Sequence, residues 1–201
     1  MAKNPFLAGA DQQPQPFSLK LSDDALVTFG ASVGPGALSF LDVGYMPVNQ
    51  LTIGNELTLG GDLKGKLDGL FVQYNATGVQ HFAADGAPTT ADYTTLHYEL
   101  LGYKGDATFG HAADGTPTVS GAKQLTVLAQ GDLIAGKGHL EFGLDGGITG
   151  EVNTSIRIGS QVVGTLDISV RHAAGDIGLT ANGFTLDGGM LQATFVPLNV
   201  G

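Results

Sequence analysis

The chain of 201 residues has no cysteine. That excludes a disulfide framework, thiolate nucleophiles, zinc-thiolate sites and iron-sulfur clusters together. Basic residues are also scarce. Nine Lys and Arg stand against nineteen Asp and Glu, a net charge of -10, which repels phosphate backbones and anionic lipid, so nucleic acid is not an expected partner. No apolar run approaches the roughly eighteen residues of a membrane helix, so no membrane insertion is expected. The opening MAKNPFLAGADQQPQPF lacks the basic, apolar and small-residue succession of a signal peptide. Short catalytic signatures are missing too: there is no GxSxG elbow, no HExxH, no phosphate loop and no GxGxxG fingerprint.

What the chain has in abundance is glycine, 32 residues, and apolar side chains, 42% of the total. The first implies frequent sharp turns and the second a real core. Segments such as FSLKLS (17 to 22), ALSFLDVGYM, KLDGLFVQY, GEVNTSIRIG and QVVGTLDISVR alternate apolar and polar residues in steps of two, which puts successive side chains on opposite faces of a strand. About a dozen short strands punctuated by Gly, Asp, Asn and Pro predict an all-β fold, a single antiparallel β-sandwich or β-barrel spanning 17–201. Residues 1–16 are expected to form a mobile N-terminal segment, with the following SLKL strand available to a neighbouring copy. TADYTTLHYELLG (90 to 102) has helical spacing at Tyr93, Leu96, His97, Leu100 and Leu101, but its Thr and Tyr content favours a strand with Leu96, Tyr98 and Leu100 on one side. In the hairpin 151 to 171, Val152, Thr154, Ile156 and Ile158 form one apolar row and Val162, Gly164, Leu166, Ile168 and Val170 the other. Bringing the rows together requires a three-residue loop or a bulge near Gly159.

The stretch AADGAPT recurs as AADGTPT twenty-nine positions later, with RHAAGD (171 to 176) as a looser third version. Asp-Gly suits a tight turn, and repetition without a constant acidic set points to geometry before chemistry. As a metal reading, Asp85 and Asp114 would supply calcium with carboxylate oxygen, the ligand that hard cations prefer. The five histidines, His81, His97, His111, His139 and His172, are expected as surface or half-buried groups. Tyr74 and His81 are the candidate cofactor ligands, because phenolate and imidazole are both axial ligands of haem iron. Asp62 and Asp68 are read as solvated loop acids rather than as a glycosidase pair.

The order YNATGVQHF, TTLHYELLGYKGDATF and LTVLAQGDLIAGKGHLEFGLDGG across residues 70 to 150, with Gly131, Gly136, Gly138 and His139 in its third piece, resembles bacterial exported proteins of the flocculation-associated type that carry a PEP-CTERM sorting tail. The resemblance implies a secreted, β-rich protein of the cell surface or extracellular matrix whose signal peptide and tail have been removed. The expected function is accordingly a non-enzymatic structural or adhesive role, self-assembling as a homo-oligomer through sheet edges. The alternative is a β-barrel carrier of an apolar small molecule or haem.

Overall fold

The computed structural model describes residues 4–8, 13–59 and 66–198. The alternating segments form strands β1 (Leu7–Ala8), β2 (Gln13–Pro14), β3 (Phe17–Gly34), β4 (Ala37–Ile53), β5 (Glu56–Leu59), β6 (Gly69–Phe82), β7 (Pro88–Lys104), β8 (Thr108–His111), β9 (Pro117–Ser120), β10 (Lys123–Phe142), β11 (Ile148–Ile158), β12 (Gln161–His172), β13 (Ile177–Thr180) and β14 (Gly183–Pro197). Eight of them, β3, β4, β6, β7, β10, β11, β12 and β14, pair antiparallel in chain order, and β12 pairs with β14 to close the ring. Of the two architectures the pattern allows, the chain adopts the up-and-down barrel.

Closure gives each ring strand a hydrogen-bonding partner on either side over part of its length. Residues Ser18 to Lys20 pair with β4 on one side and with β14 on the other, so this strand has both partners within its own chain. The interior takes one phase of every strand. Leu19 and Leu21 of β3, Met46 and Val48 of β4, Leu70 and Val72 of β6, Tyr98 and Leu100 of β7, and Leu166 and Ile168 of β12 all point inward and are buried. The stretch 90 to 102 lies within β7, with Leu96, Tyr98 and Leu100 on its inner face, so the extended reading holds. The β11–β12 register sets Val152 beside Ile168, and a bulge between Ile156 and Arg157 reconciles this with a two-residue turn. The bulge alters one expected position: Val163 is buried and Val162 is exposed.

One end of the barrel is stoppered. Phe6 is fully buried, its ring 4.4 Å from Phe17, which stacks in turn on Phe195 at 5.1 Å. Asn4 anchors this segment by donating from Nδ2 to the Leu128 carbonyl at 2.7 Å. At the opposite end Phe29, Phe82, Phe142 and Phe184 meet edge-on, with centroids 5.8 to 6.4 Å apart. The β8–β9 hairpin lies outside the ring, where Phe109 covers the outward-facing Phe71 at 5.4 Å and the His111 ring nitrogen Nε2 is 3.0 Å from the Ala25 carbonyl.

The repeated AADG is one turn built twice. In each copy the Asp carboxylate accepts from the backbone two residues on, Ala87 N–H to Asp85 and Thr116 N–H to Asp114, both at 3.0 Å, and the following glycine has φ near +86° (85° and 87°). The third copy is GLDGG at 143–147, where Gly147 N–H donates to Asp145 at 3.0 Å. RHAAGD has a different geometry, a 3-10 turn at Ala174–Asp176 whose Asp176 accepts from Ala173 N–H.

Turns are not the whole account of the glycines. Gly44 faces the interior, where a Cβ would stand 2.8 Å from Ala25 Cβ and 2.9 Å from the Tyr74 ring. Its missing side chain is the space that the tyrosine fills.

Because Phe6 is fully buried with its ring against Phe17, Phe6→Ala is expected to cost about 3 kcal/mol. The loss should appear as a lower urea midpoint with little change in slope.

Candidate functional site

Five polar side chains occupy inward positions on different strands: Asp23 on β3, Asp42 on β4, Tyr74 on β6, Tyr93 on β7 and His172 on β12. Each continues an apolar row. Asp23 follows Leu19 and Leu21, Asp42 follows Phe40, Tyr74 follows Leu70 and Val72, and His172 follows Ile168 and Val170. Asp23, Asp42 and His172 are each no more than 3% exposed, so their mutual contacts must replace water.

The contacts form a line. Tyr93 Oη donates to Asp42 Oδ2 at 2.7 Å, Tyr74 Oη lies 3.1 Å from Asp42 Oδ1 and also 3.1 Å from Asp23 Oδ1, and Asp23 Oδ2 lies 3.5 Å from His172 Nε2. Proton counting fixes the direction. Tyr74 has one hydroxyl proton and two carboxylate neighbours, so one of the two contacts needs a carboxylic acid that donates to the tyrosine oxygen. Asp42 fits that role, because burial first and the neighbouring Asp23 second push its pKa up to about 7. The line then runs from Tyr93 to Asp42, from the Asp42 acid to Tyr74, and from Tyr74 to Asp23. Both tyrosines are held well above their usual pKa, by burial and then by the carboxylates, and remain hydroxyl donors.

His172 ends the line without a hydrogen bond. Both ring nitrogens are buried and unpartnered, and the 3.5 Å approach to Asp23 is not aligned as a hydrogen bond. Its ring lies against Gly189, in the Gly188 to Leu191 irregularity of β14, where any Cβ would collide with the imidazole. The bulge makes room for the histidine.

Beside this line is a cavity of about 50 Å³. Asp23, Tyr74, Tyr93 and His172 form its polar wall, Leu140, Ile148, Val152 and Ile168 its apolar wall, and Phe142 and Phe184 join it to the aromatic rim. A second acidic group lies outside the barrel wall. Asp24 is pushed up to about 6, by burial first and by Asp187 next, where the β8–β9 hairpin covers β3.

Of the residues singled out from sequence, only Tyr74 enters this site. His81 is on the outer surface, 3.5 Å from Asp92, which also meets His139 at 2.7 Å, so Tyr74 and His81 do not face a common space. Asp85 and Asp114 each serve their own turn and are far apart in the fold, and the described residues contain no group of three or more His, Asp or Glu placed to hold a metal. Asp68 accepts from Lys104 and from Gly105 N–H, while Asp62 lies outside the described residues. His172 departs from the surface position expected of the histidines. No protein-family description matches the chain, and neither a curated protein nor a solved structure matches it.

Asp42 retains its proton up to about pH 7 when folded but loses it near 3.8 when unfolded. Between those values the folded chain binds a proton that the unfolded chain does not, so this group makes stability fall as pH rises, by on the order of 1 kcal/mol per pH unit. Asp42→Asn, which copies the neutral acid's donor and acceptor, should remove that component. Urea unfolding of both proteins from pH 4 to 8 should show the variant gaining on the parent as pH rises, most steeply below pH 7.

Proposed function

We propose that the chain is a carrier whose barrel interior takes up one compact small molecule. The observation that carries this reading is the fully buried imidazole of His172, without a hydrogen-bond partner among the described residues, facing the cavity beside the Asp23 carboxyl. A buried polar group without a partner costs about 1 to 3 kcal/mol. Replacing Asp23, Tyr74, Asp42, Tyr93 and His172 by apolar residues of the same phase would avoid that cost, so a bound molecule that completes the hydrogen bonds accounts for their presence.

The structural or adhesive alternative draws on free sheet edges for assembly, and ring closure gives each of the eight barrel strands a partner on both sides, leaving the four-residue strands β5 and β13 as short edges. A carrier is equally at home in the exported, surface-associated setting that the resemblance to flocculation-associated proteins implies. The ligand must be small. An engineered cavity of roughly 150 Å³ holds benzene, and drug-sized ligands occupy roughly 300 Å³ or more, so a 50 Å³ space takes only a few heavy atoms. The rim phenylalanines are the entrance, since Phe6, Phe17 and Phe195 fill the other end.

A fragment screen by two-dimensional NMR on the full chain tests the reading. Compounds that bind should shift resonances of Val152, Ile168 and His172. Ala91→Leu, which adds carbon to the cavity lining, should abolish those shifts while leaving the rest of the spectrum in place. Absence of interior shifts with every fragment, or shifts that persist unchanged in folded Ala91→Leu, would overturn it.

A further inference from the structure

We propose that the molecule taken up is a small protonated amine, its ammonium bound between Asp23 and His172. The proposal rests on the carrier reading and adds the chemical class of the ligand.

The first support is the balance of charge. The two carboxyls joined through Tyr74 share one acid proton, which leaves one negative charge on the line, and none of the described lysines and arginines lines the cavity. A buried carboxylate without a cation is costly, and a partner of opposite charge inside the cavity relieves it.

The second is the balance of donors and acceptors. The hydroxyl protons of Tyr74 and Tyr93 are spent on carboxylates, so the line offers the cavity no free hydroxyl donor. A carboxylate has about four lone-pair sites, and among the described residues Asp23 accepts from the single Tyr74 hydroxyl, at 3.1 and 3.4 Å to its two oxygens. Acceptors are therefore in surplus. His172 adds two buried ring nitrogens, neither of which has a hydrogen-bond partner among the described residues. A neutral imidazole can present one more lone pair. An ammonium group has three N–H donors to meet a carboxylate and an imidazole together.

The third is shape. Tyr74, Tyr93 and Phe40 line the cavity with aromatic rings, which favour a cation on their faces, and Leu140, Ile148 and Val152 offer apolar contact to a short alkyl group. A metal cation would need more oxygen ligands than this wall supplies. The cavity of about 50 Å³ limits the guest to the size of methylammonium or ethylammonium.

Titration calorimetry and NMR on the full chain at pH 6 with methylammonium, ethylammonium, ethanol and acetate distinguish the possibilities. The two amines should bind at least about tenfold more tightly than ethanol, the gain expected of a charge-assisted hydrogen bond, and acetate should not bind. Asp23→Asn should lose that preference. His172→Phe, which removes the ring nitrogens, should reduce it, and serves as the second test if Asp23→Asn does not fold. Ethanol or acetate binding in the interior as tightly as the amines would overturn the amine assignment and leave the carrier standing. An amine preference surviving in folded Asp23→Asn, or undiminished in folded His172→Phe, would also overturn it. Failure of all four probes and of every fragment in the screen would remove the carrier reading as well.

Discussion

Closing eight strands into a ring fixes the space inside, and the rest of the molecule answers to that limit. In an open sheet a large side chain can lean outward; in a closed barrel it must be accommodated by a neighbour. Glycine is the accommodation used here. Tyr74 lies over Gly44, and His172 lies against Gly189. Tyr98 passes within 2.6 Å of where a Cβ on Gly131 would be, and its hydroxyl donates to the Ser155 carbonyl at 3.1 Å. Polar rings thus enter an apolar barrel at places where the adjacent strand has no side chain.

The same enclosure governs the protons. With water excluded, two carboxylates bridged by one tyrosine cannot both be charged without severe repulsion, so one remains an acid and the shared hydrogen bonds acquire a direction. The result is an interior in which a single acid proton is shared between two carboxyls that meet through one tyrosine. Outside the wall, Asp24 and Asp187 repeat the theme in weaker form, because the β8–β9 hairpin covers them only partly.

Much of the fold was legible in the period-two pattern. The strand character of 90 to 102 and the bulge in the β11–β12 hairpin both followed from keeping apolar rows on one face. Barrel closure did not, because it depends on Leu19 and Leu21 of β3 meeting Ala193 and Leu191 of β14, a pairing between the two ends of the sequence that neither strand specifies alone. The site was less legible. Tyr74 drew attention as a phenolate, yet its partners are a pair of aspartates and a histidine far away in sequence. Their signal was phase: Asp23, Asp42 and His172 each stand where the alternation calls for an apolar side chain. The glycines misled in a similar way, since turn chemistry explains Gly86 and Gly115 but not Gly44, whose role appears only when Tyr74 is placed beside it.

The Phe6 stopper makes the barrel a cup instead of a tube. A guest in a tube can leave by the end opposite its entry, and the two routes respond separately to changes in the wall. On the carrier reading, arrival and departure in a cup cross the same threshold, so a change at the rim scales the rates of capture and release together and leaves equilibrium occupancy where it was. How tightly a guest is held then answers to the inner polar wall, and how long it stays answers to that wall and to the rim aromatics together.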